Sequence, residues 1–225
     1  MDIREYCKGV EERELEIVKL HPSIHIEENS SPLTSLKESG MDLIFEPSIK
    51  RDYQYLIREE LVEKIENISR ALEEQDKRLI ISSCWRSFEH QRLLWENRVA
   101  FFQKENPERS LKEIHKTVSK FVAPFNKSMH ATGGAVDAMI YDLEQDCVMD
   151  FGTNNGTKIN LNEMCYPHHP GISEEAKNSR QLLISLFEKE DFVCDALEYW
   201  HFDYGNANWA IGKSKKFAIY GVIKG

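Results

Sequence analysis

A pair of adjacent glycines followed at once by an apolar run is the feature that most constrains how this chain folds. The pair is Gly133-Gly134, and the run extends over residues 135–141. Glycine tolerates the backbone angles of a tight turn, and the run has the composition of a strand, so we expect a turn that leads into a strand. Side chains alternate along a strand, which places Asp137 on the opposite face from Val136 and Ala138. The strand therefore presents one carboxylate, the only charged side chain in the run.

The remaining elements favour an α+β fold with a largely antiparallel sheet flanked by helices. Apolar residues at helical spacing predict amphipathic helices over residues 53–74 and 88–103, and another that starts at Ser173. A short apolar run predicts a buried strand over residues 78–83. Further strands are predicted at 192–194, 199–204 and 217–223. Helices and strands do not alternate regularly, which argues against a parallel sheet built from βαβ units.

The composition is that of an ordinary globular protein, with 41% hydrophobic and 30% charged residues. We expect a single domain over residues 1–225, in which the role of residues 1–50 is unclear. A net charge of −9 without a basic tract argues against a nucleic acid as partner. No apolar stretch of about 18 residues occurs, which argues against a membrane partner. Five cysteines without a CxxC pair, and a charged N-terminus, favour reduced thiols and a cytoplasmic location. A periplasmic or secreted location stays open if a signal peptide has been removed.

Two short segments, 128–137 and 198–201, contain the residues best suited to bind a metal. A catalytic zinc takes three protein ligands from His, Asp, Glu or Cys and keeps a fourth position open for water. His130, Asp137 and His201 provide two imidazoles and one carboxylate. The glycine turn allows His130 and Asp137 to approach one ion, and His201 arrives from a remote strand. We therefore expect one Zn²⁺ per chain.

Glu198 and Arg86 are the candidate catalytic residues. Glu198 precedes His201 by three residues, and in a regular strand the two side chains would leave opposite faces. Glu198 therefore reaches the metal site only if residues 198–199 form a turn or bulge, which we predict. There it would act as general base toward the attacking water and then protonate the leaving amine. Arg86 has a permanent charge and a rigid fork of donors, which suits it to neutralise an oxyanion.

Each of these residues also has a simpler structural interpretation. A single histidine is more often structural than a ligand, and a buried glutamate can be satisfied by backbone donors. Arg86 could form a surface ion pair that contributes little. His168 and His169 are adjacent in a loop and point apart, so we assign them a structural role. The joint occurrence of all these residues in one ordered pattern favours metal chemistry.

The pattern SxHxxGxAxD, followed further along the chain by ExWH, resembles that of the zinc D-alanyl-D-alanine peptidases. This family includes the vancomycin-resistance dipeptidase and carboxypeptidase. The resemblance covers residues 78–204 and implies a hedgehog/D-Ala-D-Ala peptidase-like fold. It implies zinc on His130, Asp137 and His201, with Glu198 as base. Arg86 falls at the family's transition-state arginine. The matching stretches also contain Ser128 and Gln91, which become candidate substrate contacts.

Three functions remain open. Residues 148–153 and the helix that contains residues 178–183 resemble the dipeptidase branch, which hydrolyses D-alanyl-D-alanine or a similar D-configured dipeptide. Residues 83–87 with Gln91 resemble a D,D- or L,D-carboxypeptidase, which acts on peptidoglycan stem peptides. The dipeptidases have x-Phe-Asp where this chain has Asn154-Asn155-Gly156, and that aspartate is thought to hold the substrate ammonium. The third alternative is a zinc-containing binding module without catalysis. We favour the dipeptidase.

Overall fold

The computed structural model describes residues 2–120, 122–124, 127–156, 158–159 and 161–223. The helices are α1 Ile3–Leu20, α2 Val62–Glu73, α3 Phe88–Glu105, α4 Leu111–Val118, α5 Glu174–Lys189 and α6 Ala207–Gly212. The strands are β1 His25–Ile26, β2 Leu33–Ser35, β3 Ile44–Phe45, β4 Leu56–Arg58, β5 Lys77–Ser83, β6 Ala135–Asp142, β7 Cys147–Val148, β8 Asn154–Asn155, β9 Lys158–Ile159, β10 Val193–Cys194, β11 His201–Asp203 and β12 Phe217–Ala218.

The main sheet has the strand order β10-β11-β6-β5-β3, and β7 pairs with the far end of β6. Every neighbouring pair is antiparallel except β3 and β5, which run parallel. The predicted α+β fold with a largely antiparallel sheet is therefore confirmed, and the one parallel pair makes the sheet mixed.

Strand β6 is the centre of this sheet and carries Asp137. In the register with β11, Asp137 lies opposite His201. In the register with β5, Asp137 lies opposite Ser83, just after an irregularity that starts at Ile81. Directly opposed residues on neighbouring strands bring their side chains close together. The pairing of three strands thus places His201 and Ser83 on either side of the Asp137 carboxylate.

Helices α2 and α5 cover the sheet and bury the core. The apolar face of α2 packs against β5, and α5 packs against β6 and β10. Phe187 of α5 stacks on Phe202 of β11, with ring centroids 3.9 Å apart. Both rings are fully buried. Stacked aromatic pairs contribute stabilisation beyond their buried area, so this contact fixes β11, which carries His201, against the helix layer.

The glycine turn before β6 forms as predicted. Gly133 ends a 3-10 segment, Met129–Thr132, with a φ of +75°, in the left-handed region that favours glycine. Gly134 lies so close to the residue that follows β11 that an added Cβ would overlap the carbonyl oxygen of Tyr204. The first glycine is needed for its backbone angle and the second for lack of a side chain.

Three predicted boundaries were wrong. The helix expected over residues 53–74 begins only at Val62, because Tyr55 has a φ of +51° and β4 with a 3-10 turn follows it. Leu56 is part of the apolar pattern that predicted the helix, but it pairs with Ser35 of β2 instead. The strand expected at 199–204 starts at His201, and the one expected at 217–223 is limited to β12.

Helices α1, α4 and α6 were not predicted at all. None of the five cysteines, which all lie within the described ranges, forms a disulfide bond. Within the described ranges, every helix is too short or too polar to cross a bilayer.

Candidate metal centre and active site

His130, Asp137 and His201 meet at one point, as the sequence predicts. One ligand atom from each lies within 4.8 Å of the others, and all three residues are buried. His130 comes from the 3-10 turn before the glycines, Asp137 from β6 and His201 from β11. The turn and the pairing of β6 with β11 therefore create the cluster.

The hydrogen bonds of His130 determine which nitrogen faces the cluster. Its Nδ1 lies 2.7 Å from the carbonyl oxygen of Cys84, which can only accept, so Nδ1 carries the proton. The other nitrogen, Nε2, lies 3.2 Å from Oδ2 of Asp137. Burial, followed by the nearby Arg86, lowers the pKa of His130 to about 4. The imidazole is therefore neutral at pH 7 and presents a free lone pair on Nε2.

His201 is held by a carboxylate on the side of the ring that faces away from the cluster. Its Nε2 lies 3.2 Å from Oδ1 of Asp203, and its Nδ1 lies 2.9 Å from Oδ1 of Asp137. Burial alone would lower the pKa of His201, but the two carboxylates raise it well above its ordinary value. Because Asp203 accepts from Nε2, Nδ1 is the nitrogen that faces the cluster.

Asp203 was missed by sequence reasoning. A usable signal was present, because residues two apart on a strand share a face and Asp203 follows His201 by two. Metal-binding histidines commonly donate their second N–H to a carboxylate, which fixes the ring and strengthens the ligand. The arrangement of Asp203 behind His201 matches that pattern.

The donor set fits a zinc ion. Two imidazoles, each with one nitrogen directed at the cluster, and one carboxylate are the three-ligand set of catalytic zinc sites. The N···O separations of 2.9 and 3.2 Å between the imidazoles and Asp137 suit donors that share one small cation. Burial raises the pKa of Asp137, but His130 and Arg86 outweigh it and hold this pKa well below its usual value. The carboxylate is therefore ionised and available as a ligand.

Arg86 lies beside the cluster and is held by three acceptors. Its Nη2 is 2.5 Å from Oδ2 of Asp137, its Nε donates to Ser83 Oγ over 2.7 Å, and its Nη1 is 3.3 Å from Gln91 Oε1. The guanidinium is half-buried. A rigid cation next to the ligand carboxylate is placed to stabilise negative charge that develops on a bound substrate.

Gln91 and Ser128 are both buried near the cluster. Besides accepting from Arg86, Gln91 donates from Nε2 to the carbonyl oxygen of Ala123 over 2.8 Å. Both ends of its amide are thus engaged within the protein, which favours a role in positioning Arg86 over the predicted substrate contact. Ser128 directly precedes the 3-10 segment that holds His130. Its contact with substrate stays a prediction.

Glu198 lies at the turn that its assigned role requires. The amide of His201 donates to the carbonyl oxygen of Glu198 over 3.1 Å, which closes a tight turn before β11. Asp195 secures the same loop, because its Oδ1 accepts from the amides of Leu197 and Glu198 over 2.7 and 3.1 Å. Sequence reasoning predicted the turn but missed Asp195. Burial, then the Asp195 carboxylate, raises the pKa of Glu198 well above its ordinary value.

Comparison with known proteins decides the family. A family profile described as D-ala-D-ala dipeptidase (peptidase family M15) matches residues 46–218, most of the chain. The chain belongs to this family. A search of curated proteins gave no match. The range matched by the D-ala-D-ala dipeptidase family contains every predicted site residue, from Arg86 to His201, whereas α1 and strands β1 to β3 lie before it.

The solved structures that match this member of the family are only distantly similar to it. The vancomycin-resistance D,D-pentapeptidase VanY from a VanB-type cassette, a variant in complex with Zn(II), is 14% identical, with 83% of this chain and 86% of that chain covered and a TM-score of 0.49. VanYB in complex with D-alanine-D-alanine is also 14% identical, with coverages of 83% and 85% and a TM-score of 0.49. The LdcB LD-carboxypeptidase is 18% identical, with coverages of 85% and 77% and a TM-score of 0.46. The family assignment rests on the profile match.

Proposed function

We propose that this peptidase-family protein is a zinc enzyme that hydrolyses D-alanyl-D-alanine or a similar D-configured dipeptide. The observation that carries the proposal is the convergence of His130, Asp137 and His201 within 4.8 Å, all buried. Arg86 contacts this group directly. Glu198 stands at the turn that leads into His201. These are the residue types that a metallopeptidase needs for its metal, its oxyanion and its proton transfer.

In the proposed reaction, His130 Nε2, an Asp137 oxygen and His201 Nδ1 hold the metal. When bound, zinc supplies a Lewis acid and a water that ionises near neutral pH. Glu198 accepts a proton from the nucleophile and passes it to the leaving amine. Its pKa is raised in the metal-free protein by burial and by Asp195. A divalent cation nearby favours the ionised carboxylate, so metal binding would prepare Glu198 to act as a base.

One observation favours the carboxypeptidase alternative over the dipeptidase. Asn154 stands in the segment where the dipeptidases have the aspartate thought to hold the substrate ammonium. Its amide is used inside the loop: Oδ1 accepts from the amide of Phe151 over 2.7 Å, and Nδ2 donates to the carbonyl oxygens of Met149 and Gly156. Asn154 is therefore a structural residue here. A D,D- or L,D-carboxypeptidase acting on stem peptides does not need an ammonium contact at this point.

A non-catalytic zinc module is the third possibility. Such a module needs neither a buried arginine beside the metal ligands nor a glutamate in the adjoining turn. In this chain both residues are held by specific contacts. Ser83 and Gln91 accept hydrogen bonds from Arg86, and Asp195 accepts one from the backbone amide of Glu198. These contacts support catalysis.

Metal analysis followed by a peptide panel tests the proposal. We expect about one zinc per chain, and hydrolysis of D-Ala-D-Ala to free alanine but no hydrolysis of L-Ala-L-Ala. The Asp137→Ala variant should lose both zinc and activity. Preferential cleavage of an N-acetylated tripeptide that ends in D-Ala-D-Ala would make the protein a carboxypeptidase. Zinc binding without any cleavage would make it a binding module, and full zinc occupancy in Asp137→Ala would overturn the ligand assignment.

A further inference from the structure

Asp203, the carboxylate that accepts from His201, is itself held by two further hydrogen bonds. Asp203 is fully buried, and its Oδ1 accepts from His201 Nε2 and from Asn206 Nδ2, the latter over 2.5 Å. Its Oδ2 accepts from Asn208 Nδ2 over 2.8 Å. The two asparagines belong to the start of α6, where Asn206 is the N-cap. Asp203 is therefore fixed by a helix terminus that lies outside the cluster of ligands.

A further hydrogen bond extends this network to the N-terminal segment. Oδ1 of Asn208 lies 2.6 Å from Nε2 of His21, which is 187 residues away in sequence. Since Asn208 directs its NH₂ group to Asp203, its oxygen faces His21 and accepts from Nε2–H. Both branches of donors end on Asp203: His21 donates to Asn208 and Asn208 to Asp203, while His201 donates to Asp203 from the other side. Each orientation fixes the next.

We propose that His21 is a positioning residue for the metal centre, acting through Asn208 and Asp203 to hold His201 Nδ1 toward the metal. The inference rests on the proposed function in one respect, namely that His130, Asp137 and His201 bind zinc. It gives a role to residues 1–23, which lie outside the range matched by the family. In this proposal the N-terminal helix is part of the support of the metal site.

The way that α1 docks supports the proposal. His21 follows directly on α1, as its C-cap residue. Helix α1 packs against α6, the helix that carries Asn208. It also forms one wall of a cavity of about 710 Å³ whose other walls include Asp203 and Asn208. Tyr166 donates to Glu11 over 3.0 Å and so anchors the middle of the helix. The position of His21 is thus set by a docked helix.

The expected effect is on metal affinity. Loss of a carboxylate that orients a ligating histidine typically weakens metal binding by about 10- to 100-fold, which we expect for Asp203→Asn. His21 acts two hydrogen bonds further away. Loss of one such bond corresponds to about a threefold to tenfold change, which we expect for His21→Leu. His21→Gln keeps a donor at the position of Nε2 and should bind zinc within about twofold of the original chain.

The experiment measures zinc affinity of the full chain at pH 7 by competition with a chromogenic chelator. His25→Leu serves as the matched control, because His25 is an exposed histidine of the same segment. The unfolding temperature of each variant in excess chelator separates a metal effect from general destabilisation. The absorption spectrum of the cobalt-substituted protein reports the ligand field directly. We expect His21→Leu to weaken zinc binding and alter this spectrum, while His21→Gln and His25→Leu do neither.

Three results would overturn the inference. One is unchanged zinc affinity in His21→Leu alongside weakened binding in Asp203→Asn. Another is equal loss in the Gln and Leu variants. The third is a loss of affinity in His21→Leu with an unaltered cobalt spectrum and a matching fall in unfolding temperature. A failure of the original chain to bind zinc would instead remove the proposed function, so the two failures are distinguishable.

Discussion

Arg86 donates from Nη2 to Oδ2 of Asp137 over 2.5 Å, so the arginine and a candidate metal-binding carboxylate form one partly buried pair. The guanidinium is oriented from behind by Ser83 and Gln91. This pair couples the candidate oxyanion-stabilising residue to the candidate metal site. Asp137 also lies 3.2 Å from His130 Nε2 and 2.9 Å from His201 Nδ1, so Arg86 and the three candidate metal ligands form one cluster.

Replacing Arg86 by alanine should reduce kcat by about 10²- to 10³-fold, the scale of losing one oxyanion donor. Zinc content should stay unchanged, because the three ligands remain. Steady-state kinetics and metal analysis on the same preparation check this. Arg78→Ala is a suitable control, since Arg78 lies on β5, the strand that precedes Arg86, but pairs with Asp42 at 2.6 Å. An effect on KM alone would make Arg86 an anchor for the bound substrate.

Replacing Gly134 by alanine should destabilise the fold strongly. The added Cβ would overlap the carbonyl oxygen of Tyr204 and approach the Tyr220 ring to 2.7 Å, so β6 and β11 would have to separate. Because the backbone would have to shift, we expect the free energy of unfolding to fall by about 4 kcal/mol, which is at the upper end for single substitutions. Urea denaturation measures it. Gly9→Ala in α1 is the control, because its Cβ would meet open space and a helix interior gains about 0.5–1 kcal/mol from the change. Equal stability of the two variants would contradict the packing described here.

Acid should destabilise the protein partly through His90. This residue is 2% exposed, and burial, then Arg86 and Lys50, lowers its pKa to about 4 from an ordinary 6.5. Between these values the unfolded chain binds a proton at His90 that the folded chain does not. The free energy of unfolding therefore falls as the pH drops from 6.5 toward 4, by up to about 3 kcal/mol. In His90→Gln that fraction of the pH dependence should disappear. Urea denaturation at pH 7 and pH 5, with chelator present, gives the free energy of unfolding of the original chain and of His90→Gln. The same change in this free energy between the two pH values in both proteins would refute the effect.

Local patterns were sufficient to predict the centre of the fold. Strands β5 and β6 each contain a short run of mostly apolar residues, and both were predicted to within one residue. Helices α3 and α5 begin after Ser87 and Ser173, whose side chains cap the helix, and the start of α5 at Ser173 was predicted. The convergence of His130, Asp137 and His201 could be predicted because their spacing follows a family pattern.

Contacts between remote segments could not be predicted in the same way. Helix α1 buries only Cys7 completely and is otherwise polar, so it carries a weak apolar pattern. The contact of His21 with Asn208 depends on where α1 docks. Gln91 illustrates the same limit for a site residue, because sequence placed it near the substrate whereas its contacts place it behind Arg86. Each of these positions is fixed by tertiary packing and not by spacing along the chain.

A substitution at Glu198 tests catalysis separately from metal binding in the proposed mechanism. It belongs to the turn before His201 and its loop is held by Asp195 through backbone amides, contacts that do not involve its own carboxyl group. Glu198→Gln should therefore keep the turn, the three ligands and the zinc. It removes a group that can accept and return a proton.

Turnover of Glu198→Gln should consequently fall by at least about 10²- to 10⁴-fold, the usual contribution of general acid–base catalysis. The loss could exceed this because one carboxylate serves both proton transfers. Glu188→Gln, an exposed change on α5, is the matched control and should retain full activity. Metal analysis and peptide hydrolysis on both variants decide the matter. A Glu198→Gln enzyme with one zinc and near-normal hydrolysis would transfer the role of base to another residue, because a glutamine side chain cannot take up the proton that this mechanism requires.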